Sequence, residues 1–260
     1  MFGDIDPSWH DVTLEDLALH RSGAVDNLPA SRPDLWEGLW VRDGADDRST
    51  RAWFAEELLG QPAERPGGDF AYSNAGYILL GAALERTADR SWEDLMTTHL
   101  FEPLEMASCG FGPPRGRSPW GHTPGALGGW VAMDPRQSGS DNPSAFGPAG
   151  TVHCSLVDWG AFVALHLRGA NGSSIVLDSA AFERMHLAVG IGTEAYGHGW
   201  VVETNSPAWV DGTLLFHGGS NTMWFAYMFL SPSQGRAWLA VTNAGLEAAA
   251  WDAIVTLATR

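Results

Sequence analysis

The most informative absence in this chain of 260 residues is lysine, since all 15 of its basic residues are arginine. No lysine of this chain can therefore act as a catalytic base. The 31 acidic residues outnumber the arginines and give a formal net charge of −16. Nucleic acids and anionic membrane surfaces are held chiefly by clustered basic residues, and no basic stretch is present. We therefore expect neither nucleic acid nor a membrane among the partners.

The sequence also lacks an apolar run long enough to span a bilayer, and its start has neither a basic nor an apolar signal region. The sequence leaves the compartment open: without a signal peptide the chain is read as cytoplasmic, and a missing native N-terminus would be compatible with a secreted or periplasmic location. Cysteine is scarce, because only Cys109 and Cys154 are present. They are compatible with a disulfide, with free thiols or with buried apolar side chains, and two free thiols are the default expectation.

Several motifs of nucleophilic and metal chemistry are missing as well. No Gly-x-Ser-x-Gly segment occurs, and residues 218–222 depart from that pattern at their last position. The nine histidines form neither a His-x-x-x-His pair nor a Cys/His box. We therefore predict no metal site and no cofactor.

Periodicity predicts helices and strands in a mixed order. Hydrophobic residues make up 45% of the chain, enough for a sizeable core in one large domain or two small ones. The first helix is expected from Val12 to Gly23, with Thr13 as N-cap and Gly23 as terminator. Residues 112–150, rich in Gly, Pro and Ser, are expected to be irregular. Further helices are expected over 49–59, 75–87, 92–100, 156–167 and 248–257, and strands over 199–202, 213–216, 224–230 and 237–242.

Two short motifs carry the functional signal. The first is Asp69-Phe70-Ala71-Tyr72-Ser73-Asn74-Ala75-Gly76-Tyr77, in which a spacing of two puts Tyr72 and Asn74 on one face of an extended segment. The second is Phe216-His217-Gly218-Gly219-Ser220. Together they resemble the second and third motifs of the β-lactamase-related serine hydrolases, which include class C β-lactamases, D-Ala-D-Ala carboxypeptidases and esterases of the same fold. Further landmarks in family order, such as the segment ending in His20, Ser22 and Gly23, extend the resemblance from Thr13 to Asn243.

The resemblance implies an α+β fold of the β-lactamase and penicillin-binding-protein transpeptidase type, in which an antiparallel sheet packs with helices beside a helical region. We expect a single domain over residues 1–260 that is N-terminally incomplete, because the N-terminal strands and the nucleophile helix are absent. The mainly helical region is expected over residues 13–170, and the strands and closing helix over 195–260.

The resemblance also implies roles for five residues. Tyr72 would be the general base or proton relay, and Asn74 would bind the substrate amide. His217 takes the place of the lysine of Lys-Thr-Gly, as in many esterases of the family. Gly219 would let substrate approach the strand, and the backbone N–H of Ser220 would be one oxyanion donor. Taken singly, the residues have plainer interpretations: a packed tyrosine, a helix N-cap at Asn74 and a strand histidine.

Three other segments bear on this interpretation. Thr222-Met223-Trp224 stands where the family commonly has a second glycine, which predicts a crowded acyl pocket. Ser140-Asp141-Asn142 spells the class A version of the second motif, but that position is already filled, so a turn is expected there. Ser73 and Ser220 are disfavoured as replacement nucleophiles.

The first family motif, Ser-x-x-Lys, cannot occur in a chain without lysine. The favoured hypothesis is a serine hydrolase that acts on a small-molecule ester, amide or β-lactam through an acyl-enzyme, with its nucleophile segment lost by truncation or supplied by another polypeptide. The alternatives are a non-catalytic, partner-binding pseudoenzyme and a Tyr72/His217 acid–base enzyme without a serine nucleophile. Apolar surface left by the missing segment predicts a homo-oligomer or a partner that covers it.

Overall fold

The computed structural model of the chain describes residues 4–65, 67–172, 174, 176–190 and 195–260. The residues fall into two compact units, one formed by residues 1–98 and 143–151 and the other by residues 99–142 and 152–260. Neither unit is continuous in sequence. The single domain expected over residues 1–260 stays a prediction.

Helices form the first unit. They are α1 Leu14–Ala18, α2 Leu28–Ser31, α3 Pro33–Val41, α4 Asp47–Leu59, α5 Asn74–Ala88, α6 Trp92–Met96 and α7 Gly147–Gly150, with 3-10 turns at Pro7–Trp9 and Ser144–Phe146. No helix among the residues that the structure describes is both long enough and apolar enough to cross a bilayer.

Helix α1 begins as predicted and ends early. The Thr13 hydroxyl accepts a hydrogen bond from the Asp16 N–H, and the Asp16 carboxylate accepts one from the Thr13 N–H, which makes a reciprocal capping box. The expected extension to Gly23 is wrong, because the helix ends at Ala18 and His20 adopts a left-handed φ of 56°. A left-handed residue stops the helix there.

A buried arginine holds α4, α5 and α6 together. The Arg51 side chain is 0% exposed, and its guanidinium donates to Glu85 at 2.6 Å and to Glu93 at 2.7 Å. Glu85 also accepts a hydrogen bond from the Trp92 N–H at 2.8 Å. Around this network the apolar core of the unit includes Phe54 of α4, Ile78 of α5 and Phe146 of the 143–151 segment.

The second unit contains both strands and helices. They are β1 Gly110–Phe111, β2 His122–Pro124, β3 Trp130–Ala132, β4 Val152–His153, α8 Leu156–Ala170, α9 Ser179–His186, β5 Val201–Glu203, β6 Leu214–Ser220, β7 Phe225–Ser231, β8 Arg236–Thr242 and α10 Glu247–Ala258. Its main sheet is an antiparallel meander in the order β5-β6-β7-β8. One face of this sheet packs on α10 through Phe229 and Ile254, and the other packs on α8 through Leu215 and Val163.

In this second unit a buried histidine of α8, His166, lies against a partly buried histidine of α9, His186. Nδ1 of His166 lies 2.9 Å from Nε2 of His186, so one ring donates a hydrogen bond to the other. Phe162, Phe182 and Trp200 pack around the pair. Burial lowers the pKa of His166 to about 3 and that of His186 to about 4, because the surroundings disfavour a charged ring.

The expectation of two free thiols is wrong. Cys109 and Cys154 form a disulfide, with their Cα atoms 4.1 Å apart. The pairing of β1 with β4 matches Gly110 with His153 and so brings the adjacent cysteines together. The intervening segment is also less irregular than expected, since β2 and β3 form a short antiparallel hairpin within it.

Candidate functional site

Helix α5 places Tyr72 and Asn74 at its N-terminus. Ser73 lies between them and is the N-cap, since its hydroxyl accepts a hydrogen bond from the Gly76 N–H at 3.0 Å. The alternative that Asn74 caps the helix is therefore wrong, and Asn74 is the first helical residue. Asn74 is partly exposed. Its amide is thus available to a ligand.

Ser73 has a structural role at the start of α5. It is 1% exposed, and its hydroxyl donates to the Val25 carbonyl at 2.6 Å. A serine nucleophile needs access to substrate and a base to take its proton. The geometry therefore agrees with the expectation that Ser73 is not a replacement nucleophile.

Tyr72 projects to the surface beside a buried histidine. The residue is 43% exposed, and its ring centroid lies 4.1 Å from that of His20. Desolvation by the surrounding protein raises the pKa of the Tyr72 phenol above its usual value. With no lysine in the chain to favour a phenolate, Tyr72 is protonated at neutral pH.

Strand β6 carries the other three predicted site residues. It runs from Leu214 to Ser220, and on one side residues 215–220 pair with β7. On the other side β5 pairs only with residues 214–216. His217, Gly219 and Ser220 therefore lie on a strand edge to which no other described strand is paired. A strand edge of this kind can accept an extended ligand.

The two glycines of β6 differ in what surrounds them. A Cβ atom on Gly218 would come within 2.9 Å of the Tyr227 ring, so glycine there is required by packing inside the sheet. A Cβ atom on Gly219 would meet no heavy atom within 4 Å. Packing therefore explains Gly218, whereas the space at Gly219 is left for a ligand or another chain segment.

His217 is half-buried on the same strand. Its ring lies edge-on to Tyr196 with the centroids 6.2 Å apart. Desolvation lowers the pKa of His217, although a hydrogen bond with the backbone of Gly218 opposes the shift. The ring is therefore neutral at pH 7 and has a nitrogen lone pair for use in proton transfer.

The turn after β6 is fixed by a residue that the sequence did not reveal as important. The Asn221 side-chain NH₂ donates to Asp141 at 2.8 Å, and its carbonyl oxygen accepts from the Trp224 N–H at 3.0 Å. The Ser220 hydroxyl donates to the Trp224 carbonyl at 2.8 Å, so Ser220 stabilises the turn rather than standing ready as a nucleophile. Asp141 lies in the predicted turn, where it anchors the end of β6.

The predicted residues thus form two groups. Tyr72 and Asn74 belong to the first unit, and His217, Gly219 and Ser220 belong to the second.

No group of three or more His, Cys, Asp or Glu side chains within the described ranges could hold a metal ion. A depression of about 510 Å³ in the first unit includes Trp9 and Glu57 in its lining but none of the five predicted residues.

The sequence profile of the Beta-lactamase family matches residues 5–257. The chain belongs to this family. Protein flp of Staphylococcus aureus strain N315 is 26% identical over 247 residues, which are 91% of this chain and 44% of that protein. Penicillin-binding protein 4 of Amycolatopsis lactamdurans is 28% identical over 250 residues, which are 90% of this chain and 60% of that protein. The chain spans about half the length of the curated relatives it matches.

Solved structures confirm the predicted α+β fold of this Beta-lactamase family chain. The penicillin-binding protein from Bacillus halodurans matches with a TM-score of 0.74 at 18% identity, over 96% of this chain and 74% of that one. The D-amino acid amidase from Ochrobactrum anthropi matches with a TM-score of 0.65 at 19% identity, over 92% of this chain and 66% of that one. At such identities the likeness shows the fold alone.

Proposed function

We propose that the chain belongs to a hydrolase that cleaves an ester, amide or lactam through an acyl-enzyme. Its serine nucleophile belongs to a Ser-x-x-Lys segment that is not within these 260 residues. The remainder of a longer protein or another polypeptide supplies that segment. Membership of the Beta-lactamase family supports hydrolysis, and the amidase and penicillin-binding relatives favour amides and lactams.

The observation that carries the proposal is the edge of β6. An amide-containing substrate can lie along this edge as an added strand, with its backbone against Gly219, where a side chain would obstruct it. The N–H of Ser220 then donates to the carbonyl oxygen that becomes negatively charged during acylation. A second donor comes with the nucleophile segment.

Tyr72 and Asn74 take the roles that their family positions imply. A protonated Tyr72 donates its proton to the leaving group and recovers it from the nucleophile by way of the segment's lysine, which makes it a relay rather than a permanent base. The partly exposed amide of Asn74 binds the amide of the substrate acyl group. The neutral ring of His217 accepts a proton or a hydrogen bond from substrate at the β6 edge.

One specific observation favours a second candidate. At neutral pH Tyr72 is protonated and His217 is neutral, which are the states that a general acid and a general base require. An elimination or transfer reaction could use them without a covalent intermediate. Mass spectrometry separates the candidates, because only the serine hydrolase accumulates an acyl adduct.

The test compares the chain alone with the chain fused behind a segment that carries Ser-x-x-Lys. A fluorescent penicillin and a p-nitrophenyl ester serve as acylating probes. We expect no labelling of the chain alone and labelling of the fused protein that is lost when the segment's serine becomes alanine.

Matched substitutions locate the chemistry within the chain. Tyr72→Phe and His217→Ala should each reduce acylation of the fused protein by about 10²-fold or more. Tyr227→Phe and His10→Ala should leave it unchanged, since the Tyr227 hydroxyl bonds to Glu247 of α10 and His10 is exposed. A folded fusion that no probe labels would refute the proposed function.

A further inference from the structure

The end of α1 contains a residue in an unexpected conformation. The His20 N–H donates to the Leu17 carbonyl at 3.2 Å, and the Arg21 N–H donates to the Asp16 carbonyl at 2.7 Å. These two bonds define a Schellman ending, whose left-handed position is usually glycine. Here His20 occupies it with a φ of 56°. A histidine is strained there, so its side chain is expected to make a compensating contribution.

His20 forms hydrogen bonds with the residues on either side of Tyr72. The His20 carbonyl accepts a hydrogen bond from the Ala71 N–H at 2.8 Å. Nδ1 of the His20 ring accepts one from the Ser73 N–H at 2.9 Å. Since Nδ1 is the acceptor, the neutral ring carries its proton on Nε2. One residue therefore binds the backbone on both sides of Tyr72.

The imidazole ring also contacts Tyr72 directly. His20 is 2% exposed, and its ring lies between two tyrosines, with centroid distances of 4.1 Å to Tyr72 and 5.0 Å to Tyr77. The Tyr77 hydroxyl donates to the Ala18 carbonyl at 2.9 Å, which ties this second ring to α1. Tyr72 thus packs against the His20 ring, and Tyr77 packs against the same ring.

We propose that His20 is a positioning residue that fixes the orientation of the Tyr72 phenol. It acts through two backbone hydrogen bonds and one ring contact, without touching substrate. The catalytic meaning of this orientation rests on the proposed function, whereas the orientation itself does not. A proton relay works only when its hydroxyl is held close to the donor and acceptor atoms, so a free Tyr72 side chain would be a poor relay.

Two substitutions separate the contributions of His20. In His20→Gly the backbone strain is relieved, while the ring and the Nδ1 acceptor are lost. In His20→Asn the left-handed conformation is tolerated and an oxygen takes the place of Nδ1, while the ring is lost. Both variants keep the His20 carbonyl that binds Ala71.

The chain itself, labelled with ¹³C-tyrosine, provides a test that needs no activity. Its four tyrosine signals can be assigned with Tyr72→Phe and with equivalent changes at the others. In His20→Gly we expect the Tyr72 signal to shift and the Ser73 amide to exchange at least tenfold faster, while Tyr227 in the other unit is unchanged. In His20→Asn the Ser73 amide should recover its protection, and the Tyr72 signal should still shift.

Two outcomes would overturn the proposal. One is a folded His20→Gly chain whose Tyr72 signal and Ser73 exchange match those of the unchanged chain. The other is an equal shift of all four tyrosines, which would indicate general loosening instead of local positioning. If His20→Gly does not fold, His20→Asn carries the test, and an unshifted Tyr72 signal in that variant refutes the ring contact.

The activity of the fused hydrolase provides a second, independent test of the role of His20. His20→Gly should lower kcat by about 10²-fold, as expected for a misplaced catalytic group, with KM within about twofold, and His20→Asn should restore part of the loss. If Tyr72→Phe leaves the fused protein fully active, the proposed function fails and the NMR result on His20 still stands. If Tyr72→Phe is inactive and His20→Gly keeps full kcat, the positioning role fails alone.

Discussion

Replacing Arg51 with methionine should destabilise the first unit far more than the same change at Arg48, one turn earlier on α4. The Arg51 side chain is 0% exposed and bonds to Glu85 and Glu93, of which Glu85 is 3% exposed. The Arg48 side chain is 39% exposed and pairs with Asp89, whose side chain is 91% exposed. The two arginines therefore form a matched pair that differs in burial.

The expected magnitudes follow from that difference. Removing one partner of a buried ion pair costs about 3–5 kcal/mol, because the remaining charge stays buried without compensation. Losing an exposed pair costs about 0–1 kcal/mol. If each kcal/mol lowers Tm by about 2–4 °C in a protein of this size, Arg51→Met should lower Tm by about 10 °C and Arg48→Met by less than about 4 °C.

Thermal and urea unfolding followed by circular dichroism measure both effects. Glu85→Gln added to Arg51→Met should recover part of the lost free energy of unfolding, because it removes the uncompensated charge while Gln can still accept from the Trp92 N–H. Equal losses for Arg51→Met and Arg48→Met would refute the reasoning that burial of the network sets its contribution.

Three further predictions concern the second unit. Because the folded pKa values of His166 and His186 lie below the ordinary 6.5, the unfolded chain binds more protons on acidification, and stability should fall as the pH drops from about 6.5 towards 4. Replacing both with phenylalanine should flatten Tm against pH in this range, and parallel curves would contradict the assignment. Reducing the disulfide of Cys109 and Cys154 should lower the free energy of unfolding by about 2–4 kcal/mol, and identical denaturation curves with and without dithiothreitol would contradict it. Gly219→Val should keep Tm within about 1 °C of the unchanged chain, because the added side chain meets open space, yet block acylation of the fused protein. Retained labelling would show that substrate does not approach there.

Elements with strong local periodicity could be predicted from the sequence. Helices α5, α8 and α10 and the strands of the meander lie within a few residues of their expected bounds, because each buries a regular apolar face. Two short helices, Leu28–Ser31 and Pro33–Val41, were missed. Each begins next to a proline in a segment too short for a clear period, so local pattern was insufficient.

Contacts between distant residues could not be predicted. Asp141 and Asn221 are 80 residues apart in sequence, and only the fold brings them together. The disulfide depended in the same way on the pairing of β1 with β4. Tyr72, Asn74 and His217 could be proposed as site residues from the family motifs. The contacts of His20 depend on the folded structure, because no local pattern shows a left-handed residue.

The discontinuity of the first unit has a consequence for biosynthesis. Ala145 and Phe146 belong to its core, and a side chain on Gly81 would collide with Pro148. The ribosome makes these residues only after residues 99–142, which belong to the other unit. The core of the N-terminal helices therefore stays incomplete during synthesis until residue 151 has emerged from the ribosome. For the same reason, a fragment that ends at residue 98 should be prone to aggregate. Expression boundaries and fusion points for this chain should respect that order of completion.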